Sequence, residues 1–295
     1  MSLLTWDHDL ELASFLAVEE PVEEPVDEPG PSAAPAAAVR FGHVSFAVHD
    51  ALRWGARFRR DLGATPVTGA VTAGARSLLV HVGDATDGGL VELAEPLGRT
   101  SPLARFLTAR GEGVHHLTFV VPDLADTVAT LREGGHQVVG EDLDHEPWRE
   151  AFVAADAAHG LVLHLVQTDL RHPPVERLLA GRERDAAQSP SPRGATDHHW
   201  WESVWESTVL GDASLGDVHL RSRDVDLSAR LFGGLLGGEP QPLAGGGTRY
   251  AWEGGAVCVH HGREAGICAV DLGRGGPPRG VQLGRVLLGG MRRAG

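Results

Sequence analysis

Four side chains in this sequence can ligate a metal and recur at matched places: His43, Glu92, His116 and His164. His43 and His116 stand 73 positions apart, and Glu92 and His164 stand 72 apart. Each interrupts an apolar, strand-like run. Imidazole nitrogen and carboxylate oxygen are donors that a first-row divalent ion accepts. A lone strand histidine is more often a satisfied core residue. Four such groups placed by an internal repeat point to one shared metal site.

The elements that must position them read the same way twice. Gly42-His43-Val44-Ser45-Phe46-Ala47-Val48-His49-Asp50 is a strand leading into a helix that carries Ala51, Trp54, Phe58 and Leu62 and stops at Gly63. Gly111-Glu112-Gly113-Val114-His115-His116-Leu117-Thr118-Phe119-Val120-Val121-Pro122-Asp123 repeats the pattern, with Leu124, Val128 and Leu131 at helical spacing and Gly134-Gly135 as the stop. Asp50 and Asp123, again 73 apart, are good N-caps. Side chains alternate faces along a strand. Val44, Phe46 and Val48 therefore face the helix, as Leu117, Phe119 and Val121 do. His43, Ser45 and Ala47 share the other face, matched by His116, Thr118 and Val120. His115 is expected to point away from His116. Leu90–Glu95 and Gly160–Gln167 close the two units, bringing Glu92 and His164.

Residues 41–168 resemble a vicinal oxygen chelate domain, the superfamily of glyoxalase I, methylmalonyl-CoA epimerase and extradiol dioxygenases. The likeness is strongest to the epimerase-like branch. It rests on Val91-Glu92-Leu93-Ala94-Glu95-Pro96, Ser101-Pro102-Leu103-Ala104-Arg105-Phe106-Leu107 and Gly111-Glu112-Gly113-Val114-His115-His116. The resemblance implies an α+β fold of paired βαβββ modules whose sheets curl into a metal-binding cup. The family's ligands fall on His43, Glu92 and His116. Its fourth ligand is usually Glu, where this chain has His164. Family epimerases also use a Glu base after the first helix, but Pro66–Gly74 contains no acid.

The rest of the chain divides by composition. Residues 1–40, acidic and then rich in Pro and Ala, read as a disordered tail. Residues 169–213 read as a linker, with a short helix over Val175–Arg184 and an aromatic patch around Trp200, Trp201 and Trp205 that docks on a domain or a second chain. Asp197, His198 and His199 beside it have no metal-ligand spacing. Residues 214–295 read as a third, degenerate βαβββ-like half-domain with a Gly/Arg tail. Asp224 and Gly237 repeat Asp50 and Gly63 at a spacing of 174, and Asp217 holds the place of His43. This half-domain is expected to be structural, packing on the linker or pairing in a homodimer.

The net charge of −14 disfavours nucleic acid, and no motif for it appears. No apolar run reaches membrane-spanning length and Met1–Ala17 lacks a basic leader, so a cytoplasmic chain without membrane contact is expected. The only cysteines, Cys258 and Cys268, lie in apolar runs that suit buried thiols.

Three imidazoles and one carboxylate suit Fe, Co, Ni or Zn better than Mg, which prefers oxygen. With one carboxylate the site keeps about one positive charge, favouring an anionic bidentate small-molecule substrate. The expected function is metal-dependent isomerisation or epimerisation through a metal-stabilised enolate, with Glu150 and His145 as candidate bases. A non-haem Fe(II) dioxygenase and a small-molecule binding or resistance protein of the same fold are the alternatives.

Overall fold

The computed structural model describes residues 38–71, 74–83, 88–145, 147–169, 200–201, 213–273 and 280–289. The acidic tail, the helix expected over Val175–Arg184, Asp197, His198, His199 and Trp205 lie outside the described residues.

The first module is β1 (Arg40–Ala47), α1 (Ala51–Leu62), β2 (Thr65–Val71), β3 (Ala75–Gly83) and β4 (Gly88–Pro96). Helix α2 (Pro102–Arg110) joins it to β5 (Gly113–Val120), α3 (Leu124–Glu133), β6 (Val138–Asp142), β7 (Arg149–Val153) and β8 (Val162–Gln167). The strands form one sheet in the order β2-β3-β4-β1-β5-β8-β7-β6. β1 and β5 run antiparallel at its centre, each parallel to the closing strand of its own module. Two modules thus meet along their opening strands, which carry His43 and His116.

The caps follow the sequence. Asp50 and Asp123 accept from the Arg53 and Asp126 backbone N–H groups at 2.8 and 2.9 Å, satisfying otherwise orphaned helix donors. Gly63, at φ 65°, ends α1 in the left-handed conformation that glycine adopts at least cost. Val44, Phe46, Leu117 and Phe119 are fully buried against the helices. Glu112 of the glycine-flanked motif ties the modules together, accepting from the His49 N–H at 2.9 Å and Trp54 Nε1 at 3.0 Å.

A second mixed sheet follows: β9 (Leu215–Ser222), α4 (Val225–Ser228) running into a π-helical segment (Ala229–Leu235), β10 (Glu239–Pro242), β11 (Thr248–Trp252), β12 (Gly255–His261), β13 (Gly266–Leu272), β14 (Val281–Leu283) and β15 (Val286–Leu288). Its order, β10-β11-β12-β9-β13-β15-β14, reproduces the first sheet with one edge strand missing. β9 is parallel to β12 and antiparallel to β13, and β13 is parallel to β15. Asp224 caps α4 through the Leu227 N–H at 2.8 Å, and Gly237 again has φ 65°. The Gly/Arg tail contributes more than its composition suggests. Val281, Leu283, Val286 and Leu288 alternate inward and bury, giving two three-residue strands.

The two sheets share one apolar core. Phe119 lies edge-on to both Phe41 and Trp252, at centroid distances of 5.4 and 5.0 Å. Trp200 is buried with the Arg76 guanidinium 4.4 Å above its ring, and Trp201 lies against Gly69, so these two aromatics pack on β2 and β3.

Candidate metal centre

His43, His116 and His164 each present a ring nitrogen within 4.8 Å of the others. Adjacent central strands supply the first two, and the closing strand of the second module supplies the third. Glu92 approaches from β4, its Oε2 3.8 Å from His43 Nε2 and 3.5 Å from His116 Nε2. It lies beside the three-imidazole group rather than within it. Donors bound about 2.0–2.2 Å from one ion stand roughly 3–4 Å apart, so this set fits a first-row divalent ion.

The surroundings keep Glu92 and His116 in ligating form. Burial opposes ionisation of Glu92, but His43 and His116 outweigh it and hold the carboxyl well below its ordinary range. Burial also drives His116 well below the ordinary imidazole value, only partly offset by Glu92. A neutral imidazole and an ionised carboxylate are the forms that bind metal. Thr118 Oγ1 lies between His43 Nε2, at 3.0 Å, and His164 Nδ1, at 3.3 Å, linking two rings of the cluster.

Glu150, a candidate base, stands behind His164. Its Oε2 is 3.0 Å from His164 Nε2 and takes the Trp148 Nε1–H at 3.0 Å. Phe152 stacks on the His164 ring at 4.4 Å and 5°. That carboxylate fixes the ring and leaves Nδ1 turned to the cluster. His145, the other candidate base, is engaged with Asp142, through its backbone N–H at 3.1 Å and its ring Nδ1 at 3.5 Å.

His115 departs from strict alternation. Ser45 pairs with His116 and Phe46 with Val114, so His115 is the extra residue of a β-bulge. Instead of turning away, its Nδ1 meets His116 Nδ1 at 3.0 Å, and its ring lies edge-on to Phe106 at 5.0 Å. Burial pushes His115 down to about 4, so its ring is neutral at neutral pH; when His116 Nε2 serves the cluster, His116 Nδ1 carries the hydrogen and His115 Nδ1 accepts it. Paired histidines after glycine are visible in the sequence; the bulge is not.

A second constellation has the geometry of a hydrolytic triad. His159 Nδ1 is 2.8 Å from Asp156 Oδ2, and His159 Nε2 is 2.9 Å from Ser228 Oγ. Ser228 is wholly buried, and its hydroxyl is engaged with Ser222 and the Asp224 carbonyl. It joins the β7–β8 connection to α4 and is a latch between the sheets.

The equivalent places in the second sheet carry no such donor set. Register puts Asp217, Cys258, Ala269 and Gly289 at the positions of His43, Glu92, His116 and His164. Asp217 is committed to Arg249 at 2.6 and 3.0 Å. Burial, reinforced by Asp217, pushes the Cys258 thiol up to about 12. Among the described residues, His43, His116 and His164 form the one cluster of three close ligand atoms.

Paired βαβββ modules around a histidine cluster define a metal-site cup fold. The Glyoxalase/Bleomycin resistance protein/Dioxygenase superfamily model matches residues 42–152. An ethylmalonyl-CoA/methylmalonyl-CoA epimerase of Cereibacter sphaeroides is 32% identical over 102 residues, spanning 34% of this chain and 75% of that protein. The chain belongs to this superfamily, the vicinal oxygen chelate proteins, on its epimerase-like side. Among solved structures, a Streptomyces coelicolor methylmalonyl-CoA epimerase variant in complex with 2-nitronate-propionyl-CoA is 26% identical, covers 47% of this chain and all of its own, and has a TM-score of 0.41. The Mycobacterium tuberculosis methylmalonyl-CoA epimerase is 26% identical, covers 48% of this chain and 91% of its own, with a TM-score of 0.39. The second sheet lies beyond the matched residues. No described helix is long and apolar enough to cross a membrane.

Proposed function

We propose that the first sheet holds a divalent metal through His43, Glu92, His116 and His164 and isomerises a small, anionic, oxygen-chelating substrate by moving a proton beside a carbonyl. The convergence of three imidazoles with one ionised carboxylate carries this reading. Nitrogen-rich donors favour Fe, Co, Ni or Zn over Mg. A bound ion would supply Lewis acidity to two substrate oxygens. Among the chain's own residues, Glu150 orients His164, His115 orients His116, and Thr118 sets the spacing of His43 and His164. The Cereibacter relative supports a malonyl-type thioester as the first substrate to try. The stretch Pro66–Gly74 supplies no carboxylate base, so a base elsewhere in the cup serves if that substrate turns over.

The test is metal analysis of the purified chain, then incubation of the metal-loaded protein with methylmalonyl-CoA and related 2-substituted acids in deuterated water. Deuterium entry beside the carbonyl, lost on chelation, is the expected result. Oxygen consumption without deuterium entry, or tight binding without either, would replace the isomerase reading with an oxygenase or a binding protein.

A further inference from the structure

Helix α1 carries a groove that the metal centre does not use. Arg53, Trp54, Arg57, Arg60 and Asp61 line a cavity of about 360 Å³. Arg53, Arg57 and Arg60 follow one another at intervals of four and three residues, so they form one stripe along the helix. Three guanidinium groups against one carboxylate leave an excess of two positive charges, in a chain whose net charge is −14.

The stripe is held in place. The Arg57 guanidinium lies 4.8 Å over the Trp54 ring. That indole is fixed in turn, because its Nε1–H is donated to Glu112 Oε1 at 3.0 Å. An indole N–H points along the ring plane, so Glu112 stands at the edge of the ring while Arg57 stands over its face. Asp61 takes Arg57 Nε at 3.2 Å, Arg60 Nε at 2.8 Å and Arg60 Nη2 at 3.3 Å. The carboxylate thus draws two guanidiniums together and leaves both Nη groups of Arg57 and Nη1 of Arg60 as donors. Arg53 is exposed and has no acidic side-chain partner among the described residues.

Planar guanidiniums with free N–H groups match the oxygens of a phosphate. We infer that this groove is a binding site for the phosphate groups of a small ligand, a pyrophosphate or a bisphosphate, separate from the metal centre. The size agrees, since ligand pockets span roughly 300–1,000 Å³ and this one stands at the small end. An anionic membrane surface is the weaker match. Helices that lie on membranes insert apolar side chains, and the one large apolar side chain exposed among the described residues is Val225, in α4. The phosphate groups can arrive on the carrier of a thioester or as a free polyphosphate, and the same donors serve both.

The test is calorimetric titration of the full chain with inorganic pyrophosphate, before and after chelation of metal. Saturable binding with a Kd of about 1 mM or tighter is expected, and it should survive chelation. Arg53→Gln and Arg57→Gln should each weaken it about tenfold. Arg59→Gln removes the same charge from α1 outside the groove and should leave the affinity unchanged. Coenzyme A binding tighter than pyrophosphate assigns the groove to the carrier of a thioester, and the reverse order assigns it to a free polyphosphate. Absence of saturable binding, its loss on chelation, or equal weakening in Arg59→Gln and Arg57→Gln would overturn the site. Turnover without pyrophosphate binding would leave the isomerase reading standing, and binding without turnover would leave the groove standing.

Discussion

Glu150 Oε2 and His164 Nε2 face each other at 3.0 Å, and both side chains are all but buried. A buried carboxylate behind a metal-facing imidazole raises its basicity and fixes its tautomer. His164→Ala should lower affinity for Co(II) or Zn(II) tenfold or more while circular dichroism stays native. Glu150→Gln should cost about 10–100-fold, because the ring stays but its orientation and basicity change. His164→Glu should retain metal and move preference toward Mn(II) or Mg(II). Unchanged affinity in His164→Ala, with lowered stability, would make His164 a core histidine.

His115 is expected to matter for the same centre without binding metal itself. His115→Phe keeps the packing on Phe106 and removes the acceptor for His116 Nδ1–H. Metal affinity should drop about tenfold, the low end for a lost orienting contact. A drop as large as that of His116→Ala would instead make His115 a direct ligand.

Acid should destabilise the metal-stripped protein early. His115 is held near 4 and His116 is also lowered, so the unfolded chain binds more protons than the folded one below about 6.5. Stability then rises with pH across that window and is lost as pH falls through it. Each pKa unit is worth about 1.4 kcal/mol, so His115 alone contributes at most about 3 kcal/mol. Glu92, held low, adds a loss in the same direction below its ordinary value. Thermal midpoints between pH 7.5 and 4.5 measure the slope, which should be shallower in His115→Phe.

The Asp156–His159–Ser228 latch should be structural. His159→Ala leaves the wholly buried Ser228 hydroxyl and the half-buried Asp156 carboxylate without their partner and should cost about 1–3 kcal/mol, with metal binding in the first sheet unchanged. A fluorophosphonate probe should leave Ser228 unlabelled, since the hydroxyl is inaccessible. Labelling at Ser228 would show that the sheets part and expose a working nucleophile.

The sequence by itself determined the two-module repeat, the three aspartate caps at Asp50, Asp123 and Asp224, and the places of His43, Glu92, His116 and His164. Those features are periodic, and a strand or helix converts a fixed spacing directly into a shared face. The distances among the four groups were decided by the antiparallel pairing of β1 with β5 and the parallel pairing of each with its closing strand. Three further features belonged to tertiary structure alone. The bulge at His115 follows from how β5 registers against β1, so alternation along β5 misplaces that ring. Glu150 is 14 residues from His164, and only the β7–β8 pairing makes it the partner of that imidazole. The strands of the Gly/Arg tail are three residues long, too short for a periodic signal, and exist because β13 offers an edge and the shared core offers cover for four aliphatic side chains.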